Sequence, residues 1–165
     1  MDARSSKSAC GGESISFDGN KKVHGRKHQV AVDSQGFLLG AFVHEAAPHD
    51  SKVMGGFLEE LTAIWPTLKH AHVDSGYVGD ASRHLAALGL SVTVPPKKGK
   101  QFQVQPLRWR VERFFAWLKN FRRLCSDFER STRSTEAFIW LANVSLLLRR
   151  LCREPVVWKN RKGTN

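Results

Sequence analysis

The sequence predicts an α/β domain with a mixed sheet. Short apolar runs typical of strands alternate along the chain with longer segments of helical periodicity. The chain has 165 residues, 41% of them hydrophobic, which suffices for one domain with its own core. The predicted order is hairpin, helix, strand, helix, strand, helix, helix, and no internal repeat is visible.

The first elements are a basic loop, a hairpin and a helix. Residues 3–28 are polar and rich in glycine, lysine and histidine, which indicates a mobile loop. The apolar runs 30–32 and 37–43 flank a short Asp/Gly turn, the pattern of a β-hairpin. Apolar residues then recur at helical spacing from a cap near Asp50 until Pro66 stops the helix.

Two further strands are predicted in the middle of the chain. Residues 71–73 form an apolar run that ends in a Gly-rich turn, and a short helix closed by Gly89 follows. Residues 90–94 alternate like a strand and end at a proline pair. The basic segment 97–100 is expected to be a mobile linker.

Two helices complete the predicted domain, which extends over residues 1–153. The helix 109–124 carries an apolar stripe along one side. The helix 135–153 is apolar on almost all sides, so we expect it to be buried. Residues 154–165 are expected to form a loose basic tail.

The charge balance suggests a polyanionic partner. The chain has 26 Lys and Arg against 15 Asp and Glu, a formal charge of +11, and nucleic acid is the commonest partner of such a chain. A basic surface that only confers solubility is the alternative. The three cysteines form no C-x-x-C pair, so they indicate reduced thiols in a cytosol. Neither a secretory signal nor a membrane span is predicted.

Three carboxylates are candidate site residues. Asp74 follows a predicted strand, where sites in open α/β sheets are built, although a turn aspartate is equally ordinary. Glu112 shares a helix face, within about 40°, with Arg108 and Lys119. A solvated Arg–Glu pair is the alternative explanation for that face. Asp2 is the third candidate and by itself says little.

Several segments together resemble a known family. The segment 108–119 has an Arg-x3-Glu-x6-Lys pattern, and the segments 2–7, 19–28 and 72–77 match in order. They are similar to the DDE transposases of bacterial insertion sequences, in the branch with a Tyr-x2-Arg-x3-Glu-x6-Lys signature. The separations also agree, with 71 residues between the two aspartates and 37 between the second aspartate and the glutamate.

The chain departs from the family at two places. Gln105 stands at the tyrosine position of the signature. Only Met1 precedes Asp2, whereas the family has a strand leading into that aspartate and a helical DNA-end-binding region before it. We therefore expect the first half of the first strand to be missing and Asp2 to lie on a frayed terminus. A split gene with an upstream frame product and a decayed gene fragment would both give this pattern.

The resemblance implies an RNase-H-like fold and a metal-dependent enzyme. Asp2, Asp74 and Glu112 would hold two Mg²⁺ ions, for which Mn²⁺ can substitute. Two such ions, about 3.5–4 Å apart, can activate water or a DNA 3′-hydroxyl and stabilise the leaving oxygen. The implied activity is cleavage of transposon ends and strand transfer into target DNA.

The resemblance also implies a DNA surface and partners. Phosphate contacts are expected from six basic residues, with solubility as the alternative for any one of them: Arg108, Lys119, Lys21, Lys22, Arg26 and Lys27. Trp109 could stack on an unpaired base, or it could be a packing residue. The implied setting is a homodimer on DNA in the bacterial cytoplasm, at the nucleoid.

Two other functions stay open on the sequence. The chain could be a truncated relic that binds DNA without catalysis. It could also be a nuclease or resolvase of the same fold without strand transfer, although the face of Arg108, Glu112 and Lys119 argues against that.

Overall fold

A computed structural model describes residues 1–73, 89–94 and 108–152. Its elements are β1 (Asp2–Lys7), β2 (Ser16–Asp18), β3 (Val23–Val32), β4 (Leu38–Glu45), α1 (Asp50–Ile64), β5 (His70–His72), β6 (Ser91–Thr93), α2 (Arg108–Lys119), a 3-10 turn (Arg122–Leu124) and α3 (Thr132–Leu151). The predicted mixed α/β class is confirmed. The predicted short helix before Gly89, the predicted linker 97–100 and the basic tail 154–165 lie outside the described residues.

Strand β3 organises the larger sheet. It pairs antiparallel with β1, from Asp2 opposite Val30 to Lys7 opposite Gly25. It also pairs antiparallel with β2 and with β4, so the predicted hairpin is confirmed and β3 is longer than expected. Strands β5 and β6 pair parallel to each other.

The two faces of the sheet carry two separate cores. Successive residues of a strand point to opposite faces, so Val30 and Ala31 of β3 mark the two sides. Ala31 belongs to a buried cluster with Met54, Phe57, Leu58 and Leu61 of α1 and with Ala71 of β5. Val30 belongs to a second cluster with Val111, Phe114 and Leu118 of α2 and with Ile139 of α3. The sheet is therefore covered by helices on both faces.

The prediction that residues 3–28 form a mobile loop is wrong. This segment forms β1, β2 and the first half of β3. The error has a physical cause, because Arg26 and Lys27 are basic residues that the fold buries. Basic residues normally indicate a solvent-exposed segment, but these two form ion pairs inside the fold.

Arg26 is the centre of a buried polar network. Its side chain is fully inaccessible to solvent, and Nη1 lies 3.1 Å from Oδ2 of the equally buried Asp127. The guanidinium also donates to the backbone carbonyls of Glu13, Glu129 and Arg130. The network ties the start of the sheet to the segment that leads into α3.

The two C-terminal helices differ from their predicted forms. Helix α2 ends at Lys119, and a 3-10 turn replaces the expected last helical turn before Leu124. Helix α3 is not buried all round, because five large apolar side chains on it are exposed: Trp140, Leu141, Val144, Leu148 and Leu151. Among the described helices, none is long and apolar enough to cross a membrane.

Helix α3 also covers the edge strand β4. The side chain of Asn143 accepts a hydrogen bond from the backbone N–H of Leu38 at 3.1 Å. The carboxylate of Glu136 accepts one from the backbone N–H of Val43 at 2.8 Å. These side chains satisfy donors that an exposed sheet edge would otherwise present.

Candidate active site

Asp2 lies in the sheet and not on a frayed end. It opens β1 and is paired with Val30 of β3. The amino group of Met1, immediately before it, donates a hydrogen bond to the carbonyl of His72 at the end of β5, with an N···O distance of 2.7 Å. Asp2 is therefore held between β3 and β5, and the expectation of a frayed terminus is corrected.

Asp74 lies outside the described residues, but the structure describes the chain up to Val73, the residue before it. Strand β5 ends at His72, and Val73 is buried, with its N–H donating to the carbonyl of Thr93 at 3.2 Å. The hydrogen bond between Met1 and His72 joins the residue before Asp2 to the residue two positions before Asp74. The start of β1 and the end of β5 are thus brought together.

Glu112 lies on the exposed side of α2. This helix packs on β1 and β3, and Val111, the residue before Glu112, is buried beneath it. Lys119 at the other end of α2 is also exposed, and the helix includes Arg108. The single helix predicted to carry all three residues of the Arg-x3-Glu-x6-Lys pattern is present.

A cleft of about 370 Å³ opens where β1 begins and β5 ends. Its lining includes Met1, the end of β3 with Val32, the residues of β5, and Arg110 and Val111 of α2. The helix that carries Glu112 and the strand that begins at Asp2 therefore border one cleft.

The rim of this cleft is positively charged. The pKa of His72 is lowered, first by burial and then by electrostatic interactions with the Met1 amino group, His70 and Arg110. A positive potential at this point favours anions such as carboxylates or phosphates. Sequence reasoning missed Arg110, although its place two residues before Glu112 on the same helix could have drawn attention to it.

The described residues contain no complete metal site. Within residues 1–73, 89–94 and 108–152, no three His, Cys, Asp or Glu side chains form a group that could hold a metal ion. Two of the three predicted carboxylates, Asp2 and Glu112, lie on elements that border the same cleft, and Asp74 lies outside those ranges. Carboxylate oxygens are the donors that Mg²⁺ prefers, so this donor set fits a hard divalent cation.

The structure divides the predicted DNA-binding residues into two groups. Lys21, Lys22 and Lys119 are exposed, and the ammonium of Lys21 donates to the carbonyl of Ala3, one residue from Asp2, at 3.0 Å. Arg26 and Lys27 are buried. Because their donors are used inside the chain, the prediction that they contact phosphates is not retained.

Lys27 has its own internal partners. Its ammonium lies 2.9 Å from the carboxylate of Asp50 and donates to the carbonyl of Pro48 at 2.6 Å. The ion pair joins β3 to the first turn of α1. It anchors the sheet to the helix instead of facing solvent.

Trp109 is not a core residue. Its side chain is 41% exposed. The guanidinium of Arg113 lies over the ring, 4.1 Å from its centre, and also 4.7 Å from the ring centre of Trp117. Arg113 thus fixes two indoles on the outer side of α2, a cation–π arrangement that the sequence analysis did not anticipate.

Comparison with known proteins agrees with this arrangement. The chain is an α/β domain with acidic residues at strand and helix positions around a cationic cleft, and residues 2–148 match the family described as Transposase DDE domain. The chain belongs to this family. It is also 30% identical over 128 residues to a Burkholderia cepacia protein assigned as the transposase for insertion sequence element IS402. That match covers 71% of this chain and 60% of the relative.

Proposed function

We propose that this chain carries the active site for DNA transposition, in which transposon ends are cut and joined to target DNA in a metal-dependent reaction. The observation that carries the proposal is the hydrogen bond between the Met1 amino group and the His72 carbonyl. It brings the start of β1, at Asp2, close to the end of β5, two residues before Asp74, beside the helix that carries Glu112.

The proposed fold is RNase-H-like. The support is the order β4-β3-β1 in the larger sheet and the parallel pair β5-β6 in a second sheet, with helices packed on both faces of the larger sheet. A hydrogen bond from the Met1 amino group to the His72 carbonyl links the two sheets. In such an arrangement the first aspartate lies on the central strand and the second follows its parallel neighbour.

The chemistry proposed for the site follows from its donor set. Asp2, Asp74 and Glu112 would hold two Mg²⁺ ions, because clustered carboxylates repel one another without a cation. When bound, the ions supply an activated water or 3′-hydroxyl and stabilise the leaving oxygen of an in-line displacement. The same carboxylates would serve both the cut and the strand transfer, and no covalent protein–DNA intermediate is required.

The remaining side chains would position DNA. Lys119 and Arg108 on α2, and Lys21 and Lys22 beside β1, would contact phosphates near the cut end, which fixes register without reading bases. The exposed ring of Trp109 would stack on an unpaired base at the transposon end. Because phosphate contacts release counterions, DNA binding should weaken steeply as salt rises.

The proposed setting is the bacterial cytoplasm, at the nucleoid, with a homodimer assembled on DNA.

A cleavage assay tests the proposed function. The purified chain is incubated with Mg²⁺ or Mn²⁺ and a duplex carrying the element's terminal repeat, and nicks are mapped at the repeat boundary. Glu112→Gln should abolish nicking, because it removes a charged metal ligand while keeping the shape of the side chain. Glu60→Gln, an exposed glutamate on α1, is the matched control and should nick normally.

Two results decide against the proposal. Equal nicking by Glu112→Gln and the unchanged chain would remove Glu112 from the active site. Salt-sensitive DNA binding without nicking would identify the chain as a DNA-binding relic.

A further inference from the structure

We infer that Arg113 is a positioning residue, which holds the indole of Trp109 in place as a platform for one unpaired DNA base. The inference rests on the proposed function, because stacking of Trp109 on an unpaired base is part of that function. It adds the residue that fixes the platform and the part of the fold that fixes this residue.

The guanidinium of Arg113 contacts two indoles of α2. Trp109 lies one turn before Arg113 and Trp117 one turn after it, so the three side chains follow one another along one side of the helix. The guanidinium carbon lies 4.1 Å from the ring centre of Trp109 and 4.7 Å from that of Trp117. A planar guanidinium can stack on aromatic faces, which a lysine ammonium cannot do.

The turn between β3 and β4 holds the same guanidinium from another direction. Nη2 of Arg113 donates a hydrogen bond to the backbone carbonyl of Gln35. The next residue is Gly36, with a φ of +87°, and a β-carbon added there would lie 2.7 Å from that Nη2. The ring of Phe37 then lies 6.1 Å from the ring of Trp117, measured between centroids. The turn is therefore fitted to Arg113, and a glycine permits the close approach.

These contacts indicate that Arg113 acts inside the protein and does not serve as a phosphate ligand. Its place next to Glu112 would suggest a DNA contact from sequence alone. Its guanidinium is instead engaged by the two indoles and by the carbonyl of Gln35. Among the residues that the structure describes, its buried Nε has no hydrogen-bond partner. Arg113 would therefore affect DNA through the ring that it fixes.

Trp109 presents the open end of this stack on the side of Glu112. Its side chain is 41% exposed although Arg113 lies over the ring. Around the helix axis Trp109 lies about 60° from Glu112, and Arg113 lies about 100° from it in the same direction. A base stacked on Trp109 would thus lie beside the proposed cutting site. A ring that is fixed before DNA arrives loses less conformational freedom on binding, which strengthens stacking.

The test measures how much a single unpaired base contributes to binding. The full chain, without metal, is titrated into two hairpin duplexes that each end in one unpaired 3′ nucleotide. In one duplex that nucleotide is 2-aminopurine, and in the other it is abasic. The ratio of the two Kd values, from the anisotropy of a dye in the hairpin loop, reports the base alone. We expect the 2-aminopurine duplex to bind about tenfold more tightly, and its fluorescence to be quenched by stacking.

Three variants assign this ratio to the stack. Trp109→Ala should bring the ratio close to one. Arg113→Lys keeps the charge but not the planar group, so we expect the ratio to fall by about threefold or more, with weaker quenching and an unchanged salt dependence. Gly36→Ala should have a similar effect, because the added carbon displaces the guanidinium of Arg113.

Arg122→Gln is the matched control for charge. Arg122 is an exposed arginine on the 3-10 turn, away from the two indoles. The variant should weaken binding of both duplexes by the same factor and keep the ratio. A smaller folded fraction would also lower both affinities equally, so the ratio separates positioning from a loss of stability.

Three outcomes would overturn the inference. They are a ratio near one for the unchanged chain, an unchanged ratio in Trp109→Ala, and an Arg113→Lys variant with the ratio and quenching of the unchanged chain. The measurement involves neither metal nor strand cutting. Glu112-dependent nicking together with a ratio near one would therefore remove only the platform and leave the proposed function standing.

Discussion

Replacing Asp127 by asparagine perturbs the buried network that joins the start of the sheet to α3. Asparagine keeps the size of the side chain and one acceptor oxygen, but it removes the negative charge that lies 3.1 Å from Nη1 of Arg26. The Arg26 guanidinium would then be a buried cation without a counter-ion. Removing one partner of a buried ion pair costs about 3–5 kcal/mol of unfolding free energy.

The pKa of Asp127 predicts how this cost depends on pH. Burial alone would raise that pKa, but the interactions with His28, the Glu129 N–H and the Thr135 hydroxyl outweigh burial and lower it from 3.8 to about 2. A carboxyl with a lowered folded-state pKa contributes stability above its unfolded pKa and loses it as pH falls towards the folded value. The difference corresponds to about 2 kcal/mol, present above about pH 4 and lost towards pH 2.

Urea denaturation followed by circular dichroism measures this effect at pH 7 and near pH 2. We expect Asp127→Asn to lower the unfolding free energy by about 3–5 kcal/mol at pH 7. The difference from the unchanged chain should shrink by about 2 kcal/mol near pH 2. The exposed Glu60→Gln exchange on α1 is the control and should change stability by less than about 0.5 kcal/mol. The reasoning is refuted if Asp127→Asn costs less than 1 kcal/mol at pH 7, or the same at both pH values.

Three further predictions concern separate parts of the molecule. Gly25→Ala should lower the unfolding free energy by about 1–3 kcal/mol, because the added carbon would collide with the backbone oxygen of Ser6; an unchanged Tm in calorimetry would contradict this. Asn143→Ala should cost about 1–3 kcal/mol in urea denaturation by leaving the buried N–H of Leu38 without its acceptor, and a neutral result would show that another acceptor replaces it. Lys119→Gln should reduce the slope of log affinity for DNA against log salt by about one, measured by fluorescence anisotropy; an identical slope would remove Lys119 from the phosphate contacts.

Local pattern was sufficient to predict much of the fold. The hairpin of β3 and β4, helix α1 and the short strands β5 and β6 were all predicted from apolar periodicity and turn residues, because these signals depend on neighbours within a few positions. The residue at which α2 ends and the exposed face of α3 were not predicted. Both depend on which helix faces pack against other elements in the folded chain.

Some features of the candidate site were likewise predictable from the sequence, and others were not. The sequence by itself determined the residue types, the spacing of Asp2, Asp74 and Glu112, and the common helix of Arg108, Glu112 and Lys119. Those features are properties of the chain order and of helical geometry.

Only the tertiary structure decided which charges face solvent and which strands meet. Arg26 and Asp127 are 101 positions apart, and their pairing turns an apparent DNA-binding arginine into a buried structural one. The hydrogen bond from Met1 to His72 likewise spans 71 positions and places Asp2 within the sheet. Such contacts depend on long-range packing, whose free energy is not encoded in any local window of sequence, and so the sequence pattern alone could not reveal them.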